Sequence, residues 1–132
     1  MTRSLTSLEI CAGAGGQALG LERAGFEHVA LVEIDSHACA TLRLNRPSWN
    51  VLHQDVRDSQ ACKFEGVDLL AGGVPCPPFS KAGNQLGRDD ERDLFPEALR
   101  LRSLMRHPRA PRHEGSQEEP DRCHLGSQRQ RK

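Results

Sequence analysis

Residues 74–80 read Val-Pro-Cys-Pro-Pro-Phe-Ser and follow Val67-Asp68-Leu69-Leu70-Ala71-Gly72-Gly73, a short apolar stretch with the pattern of a buried strand running into a loop. A cysteine held at a strand end between prolines is a candidate nucleophile. The prolines fix the backbone on either side and keep the thiol out of regular hydrogen-bonded structure. Cys76 is therefore the first residue to which chemistry can be assigned.

A second candidate is the glycine loop Ala12-Gly13-Ala14-Gly15-Gly16. Gly13, Gly15 and Gly16 let the chain turn tightly and bring backbone amides against a ligand, next to a helix N-terminus that favours electron-rich groups. The spacing is GxGG and not GxGxxG, which favours a compact nucleoside cofactor over a pyrophosphate-bearing dinucleotide. Glu33 stands about twenty residues further on, the distance at which a carboxylate accepts hydrogen bonds from ribose hydroxyls; without the glycines it would read better as a solvated loop acid. Asp55 suits either an adenine amino group or the cap of a turn, and spacing does not separate the two.

The elements that must position these groups follow from periodicity. Residues 5–11 form a strand that breaks into the glycine loop, and residues 17–24 form a helix closed by Gly25. Residues 28–32 form a second strand. Asp35 or Ser36 caps a helix that runs to about Asn45 and stops ahead of Pro47. Residues 50–53 and 67–71 are the third and fourth strands. Strands alternating with helices of this length imply βαβ units and a parallel sheet, hence a Rossmann-like α/β fold. Such sheets bind ligands beyond the carboxyl ends of their strands. The glycine loop, Glu33, Asp55 and Cys76 each fall at one of those four ends.

The 132 residues allow one domain with a modest core. Residues 1–101 hold ten Lys/Arg against fourteen Asp/Glu, a balance of −4, and the remainder carries +4. An acidic body lacks the basic face of a free-standing nucleic-acid binder, so any DNA contact must come from local residues or further sequence. The five cysteines form no CxxC pair and no even-numbered framework, and no secretory pattern precedes them, which predicts a cytoplasmic protein with reduced thiols. No stretch approaches the roughly 18 apolar residues of a membrane span. Cys123-His124 lacks partner ligands and Cys39 near His37 reads as packing, so no metal site is expected.

Four segments in order carry a resemblance: Leu8-Glu9-Ile10-Cys11-Ala12-Gly13-Ala14-Gly15-Gly16, Val32-Glu33-Ile34-Asp35, Gln54-Asp55-Val56, and Gly73-Val74-Pro75-Cys76-Pro77-Pro78-Phe79-Ser80. Together they resemble the first four motifs of DNA (cytosine-5) methyltransferases. Gly83, Gln85, Gly87 and Asp89-Asp90-Glu91-Arg92 through Leu94-Phe95 resemble the mobile loop and helix start that follow that family's catalytic cysteine. The ordered set is far more specific than any one motif.

The resemblance implies a Rossmann-like S-adenosylmethionine-dependent methyltransferase fold. The cofactor would contact Cys11, Gly13, Ala14, Gly15, Gly16, Ile34, Val56 and Pro75, with the Gly13 to Gly16 loop near the methionine part, Glu33 on the ribose and Asp55 near the adenine. Cys76 would be the nucleophile that adds to C6 of a cytosine flipped out of double-stranded DNA. Ser80, Lys81, Gln85 and Arg88 are DNA-contact candidates, although an ordinary solvated loop also accounts for Lys81. Where the family commonly has Asp and Phe before the first glycine, this chain has Glu9 and Cys11, so the usual aromatic contact is absent there.

The resemblance covers roughly residues 5–101. No Glu-Asn-Val segment, Arg-x-Arg pair, target-recognition domain or pocket-completing final segment follows. The expected organisation is an incomplete parallel sheet in residues 1–102 and a polar, disordered tail in residues 103–132, too poor in apolar residues to bury a core. The abrupt change near Arg102 is what a frameshift or truncation would leave. Three readings compete: a methyltransferase fragment inactive alone, one half of a split enzyme completed by a complementary chain, and a non-catalytic S-adenosylmethionine-binding remnant. A nicotinamide-dependent oxidoreductase explains the glycines and Glu33 but gives Cys76 no role.

Overall fold

A computed structural model describes residues 3–75 and 93–105. Four parallel strands, β1 (Leu5–Ile10), β2 (Phe26–Glu33), β3 (Val51–His53) and β4 (Leu69–Gly72), form one sheet in the order β3-β2-β1-β4. The crossover helices are α1 (Gly16–Arg23) and α2 (Ser36–Asn45), and α3 (Phe95–Met105) follows β4. Two 3-10 turns, Val56–Asp58 and Ala61–Phe64, occupy the β3–β4 connection. The order places β1 centrally, so the chain leaves it toward β2 on one side and returns on the other as β4. A ligand crevice is expected at that reversal.

Local chemistry sets the boundaries. Asp35 is the cap of α2, its Oδ1 accepting from Ala38 N–H at 2.7 Å. Gly25, at φ 90°, closes α1 and donates to the Glu22 carbonyl. β2 is longer at both ends than apolar patterning suggests because Phe26 and Glu27 already pair with Leu5 and Thr6, and Glu33 still pairs with His53. At the start of β1, Asp68 accepts from Thr6 N–H and Oγ1 and pairs with Arg3. The Thr6 backbone bond, then Arg3, holds the Asp68 carboxyl below its usual range.

The sheet is buried on both faces, as parallel sheets are. On one face Leu8, Ile10, Ala30 and Val32 pack with Phe64 and with Leu101 and Met105 of α3. On the other, Leu31, Ala18, Cys39, Leu42 and Val51 pack together, with Trp49 against them. α3 thus runs to Met105, past the composition change at Arg102, because Leu101 and Met105 lie one helical turn apart and both are buried in the core. Cys11 and Cys39 are free thiols.

A polar seam joins the sheet to α1. Ser7 Oγ lies 2.8 Å from His28 Nδ1, and His28 Nε2 lies 2.9 Å from the Ala18 carbonyl. A carbonyl only accepts, so Nε2 carries the proton. Trp49 meets His28 edge-on at 5.0 Å and donates to Glu22 at 2.8 Å, and Glu22 also accepts from Arg46 at 3.1 Å.

Glu9 shares that face by strand alternation and is 1% exposed, and among the described residues nothing bonds its Oε2. Burial pushes its carboxyl up to about 7. The folded state therefore holds this proton more tightly than the unfolded chain, and stability declines as pH rises from the unfolded value toward about 7. Urea denaturation of Glu9→Gln should lack about 2 kcal/mol of the decline that the parent shows between about pH 5 and about pH 8. An equal slope in both proteins would place the titration elsewhere.

Gly72 marks the closest approach of β4 to β1. A Cβ there would overlap the Ile10 carbonyl oxygen and lie 2.7 Å from Ile10 Cγ1, whereas one on Gly73 would meet nothing within 4 Å. Gly72→Ala should cost about 2 kcal/mol in chemical denaturation. Gly73→Ala should stay within about 0.5 kcal/mol of the parent.

Candidate functional site

The loop leaving β1 takes three left-handed residues in alternation: Cys11 at φ 52°, Gly13 at 56° and Gly15 at 94°. For Cys11 this backbone region is uncommon and is held by its surroundings. Gly15 has a second reason to lack a side chain, since a Cβ would come 2.6 Å from Leu42 Cδ2 and 3.3 Å from the Trp49 ring. Gly15 is the N-cap of α1 and makes no side-chain cap bond. Among the described residues no side chain accepts from the first amides of α1, at the helix's positive end.

Glu33 ends β2 and is only 8% exposed. Its Oε2 accepts from Gly13 N–H at 2.7 Å, and its Oε1 accepts from Ile34 N–H at 2.9 Å and Asp35 N–H at 2.8 Å. It is not a solvated loop acid. Three of its roughly four lone-pair sites hold backbone, leaving capacity for about one further donor. Asp55 acts as a cap, Oδ1 accepting from Arg57 N–H at 2.8 Å, with Oδ2 3.6 Å from Arg57 Nη1. Both residues line one cavity.

That cavity, about 390 Å³, lies beyond the carboxyl ends of the strands and is lined by Cys11, Val32, Glu33, Ile34, Gln54, Asp55, Val56, Arg57, Pro75 and Leu94. It brings together six residues singled out from sequence: Cys11, Glu33, Ile34, Asp55, Val56 and Pro75. Gly13, Ala14, Gly15 and Gly16 are not in the lining; they follow Cys11 and lead into α1. Cys76, Ser80, Lys81, Gln85 and Arg88 lie outside the described residues. Val32, Gln54, Arg57 and Leu94 line the cavity without having been anticipated as site residues. Gln54 stood in the third motif segment without a role of its own, Arg57 had only its adjacency to Val56 as a signal, and Leu94 is brought in by the packing of α3.

Burial, with Glu33 and Asp55 adding, pushes the Cys11 thiol up to about 11, so it stays protonated near neutrality. The field that opposes a thiolate favours a cationic ligand. Ile34 is 64% exposed beside the cavity, an apolar surface that a flat ring would cover. Among the described residues no cluster of three His, Cys, Asp or Glu could hold a metal ion. Nor is any described helix long and apolar enough to cross a membrane.

The C-5 cytosine-specific DNA methylase family model matches residues 5–105, which include the whole sheet and α3. The chain belongs to this family. It is 78% identical over 96 residues to the Type II methyltransferase M.NgoMIV of Neisseria gonorrhoeae, covering 73% of this chain and 31% of that protein. With the Type II methyltransferase M.NaeI of Lentzea aerocolonigenes it shares 59% identity over 111 residues, 82% of this chain and 27% of the relative. A prophage-encoded E. coli protein solved as a DNA modification methyltransferase superposes with a TM-score of 0.65 at 34% identity, covering 77% of this chain and 29% of that one. The fold is thus the Rossmann-like fold of S-adenosylmethionine-dependent DNA methyltransferases, and the chain spans less than a third of the length of these curated relatives.

Glu33→Gln tests the tether of this methylase loop. Glutamine keeps the shape but has one acceptor oxygen, which serves Gly13 on one side or Ile34 and Asp35 on the other. Amide hydrogen exchange should accelerate about tenfold or more in one of those two sets. Unchanged protection at Gly13, Ile34 and Asp35 together would show that the loop is held by other means.

Proposed function

We propose that this chain is the cofactor-binding and nucleophile-bearing part of a DNA (cytosine-5) methyltransferase. The observation that carries the reading is the convergence of Cys11, Glu33, Ile34, Asp55, Val56 and Pro75 on one cavity at the carboxyl ends of the sheet. These residues fit S-adenosylmethionine. Glu33 retains room for a ribose hydroxyl, Asp55 accepts from an amino group, and Ile34 offers a face to a purine. The N-terminus of α1 suits the carboxylate of the methionine part. Glu33 and Asp55 suit its positive charge. When bound, this cofactor supplies a methyl group on a cationic sulfur.

Cys76 is the nucleophile in this reading. Cytosine C5 is too weakly nucleophilic to be methylated directly. The Cys76 thiolate forms a C–S bond to C6, which places an electron pair at C5, the carbon that is methylated. Loss of the C5 proton then restores the double bond and expels the thiolate. C6 is inaccessible in a stacked duplex, so the base is flipped out of double-stranded DNA. Ser80, Lys81, Gln85 and Arg88 follow Cys76 closely and are assigned to DNA contact. Target recognition and completion of the pocket belong to the remaining length seen in the relatives, in cis or on a complementary chain.

The test is covalent trapping by a duplex containing 5-fluorocytosine. Fluorine cannot leave C5 as a proton does, so the C6 adduct persists. With the completing polypeptide and S-adenosylmethionine present, the parent chain should give a denaturation-resistant DNA adduct. Cys76→Ser should give none, because a hydroxyl is a much poorer nucleophile. Trapping that survives the substitution would assign the attack to another residue.

A further inference from the structure

Gln54 lines the cavity beside Asp55, and its side chain is held from outside the cavity. Its backbone N–H donates to the Glu33 carbonyl at 3.0 Å, fixing the residue at the end of β3. Its Nε2 donates to Ser59 Oγ at 3.1 Å. Ser59 is 3% exposed, and its carbonyl accepts from Arg100 Nη2 at 3.1 Å. Arg100 belongs to α3 and is itself steadied by Glu97, Nε to Oε2 at 2.7 Å. A hydrogen-bonded relay therefore runs from α3 through Ser59 to the cavity wall.

The bond to Ser59 uses one amide hydrogen of Gln54 and leaves the other, together with Oε1. A donor and an acceptor side by side on one planar group match the edge of adenine, which presents an amino donor next to a ring-nitrogen acceptor. We propose that Gln54 reads the adenine edge of the nucleoside held in this cavity, and that Arg100 is a positioning residue acting through Ser59. This inference rests on the cavity being the S-adenosylmethionine site. It gives α3 a part in cofactor recognition, since the helix that supplies Arg100 also sets Leu94 into the cavity lining.

The test compares two ligands by calorimetry on the full chain with the completing polypeptide present: S-adenosylhomocysteine and its 6-oxopurine analogue, S-inosylhomocysteine. The parent should prefer the adenine ligand. Gln54→Leu should weaken the adenine ligand about tenfold and the 6-oxopurine ligand less, so that the preference falls. Arg100→Met keeps the aliphatic stem but no donor, and should lower the same preference. In the Gln54→Leu background it should change nothing further, because its action passes through Gln54. Ser59→Ala, which retains the carbonyl bonded to Arg100, serves as the second variant should Arg100→Met not fold; it should lower the preference too.

A ligand preference unchanged in Gln54→Leu overturns the assignment. Additive losses from Arg100→Met and Gln54→Leu overturn the relay. A parent chain that binds neither ligand removes the cofactor reading itself, and this inference with it.

Discussion

Both ends of one residue, Glu33, organise the functional end of the sheet. Its carboxylate gathers the amides of Gly13, Ile34 and Asp35. Its carbonyl accepts from Gln54 N–H at 3.0 Å and lies 3.5 Å from Cys39 Sγ. The β1 loop, the β2–α2 turn, the end of β3 and the packed face of α2 are therefore all referred to a single position. The loop needs such an anchor. Alternating left-handed residues at Cys11, Gly13 and Gly15 would sample many conformations if unrestrained, and bonds to a charged group are among the stronger ones available. Substituting any other side chain at 33 would free backbone donors in a partly buried turn.

What lies behind this anchor is a sheet loaded asymmetrically. The face toward α3 carries an apolar cluster of Leu8, Ile10, Val32, Phe64, Leu101 and Met105, with the Arg100–Ser59 bond beside it. The face toward α1 and α2 carries an apolar cluster and also the Ser7–His28–Ala18 bonds and the lone carboxyl of Glu9. Polar groups in that position fix direction and register where hydrophobic contact alone is non-directional. Glu9 contributes no partner to the seam, and its cost grows with pH.

Strand and helix positions were legible because they rest on local rules. Apolar runs, Gly25, the Asp35 cap and Pro47 each act over a few residues, and the observed elements begin and end within a few residues of where those signals stand. The 3-10 turns were not legible, since Val56, Ala61 and Phe64 are set by burial against strands distant in sequence. Met105 shows the same limit. Composition changes at Arg102, but a helix whose inner face is already docked extends until its last core contact is made. At the site, sequence placed Glu33 and Asp55 at strand ends without revealing that one ties down three amides and the other caps a turn. Gln54 stood in the third motif without a legible role, because its side-chain partner, Ser59, is held by an arginine 41 positions away.

The electrostatics of the cavity separate the two cysteines by role. Cys11, pressed against two carboxylates, is a poor thiolate and behaves as a small apolar wall. A nucleophile needs the opposite environment, a cation or a base within reach and a route to solvent or substrate. The same reasoning bears on the acidic balance of residues 1–101. A negative body attracts a cationic nucleoside at short range yet repels phosphate at long range. Cofactor capture and DNA capture therefore require different surfaces. In the proposed reading the first surface is the cavity between Glu33 and Asp55, and the second belongs to the segment after Cys76 together with the polypeptide that the relatives have and this chain does not span.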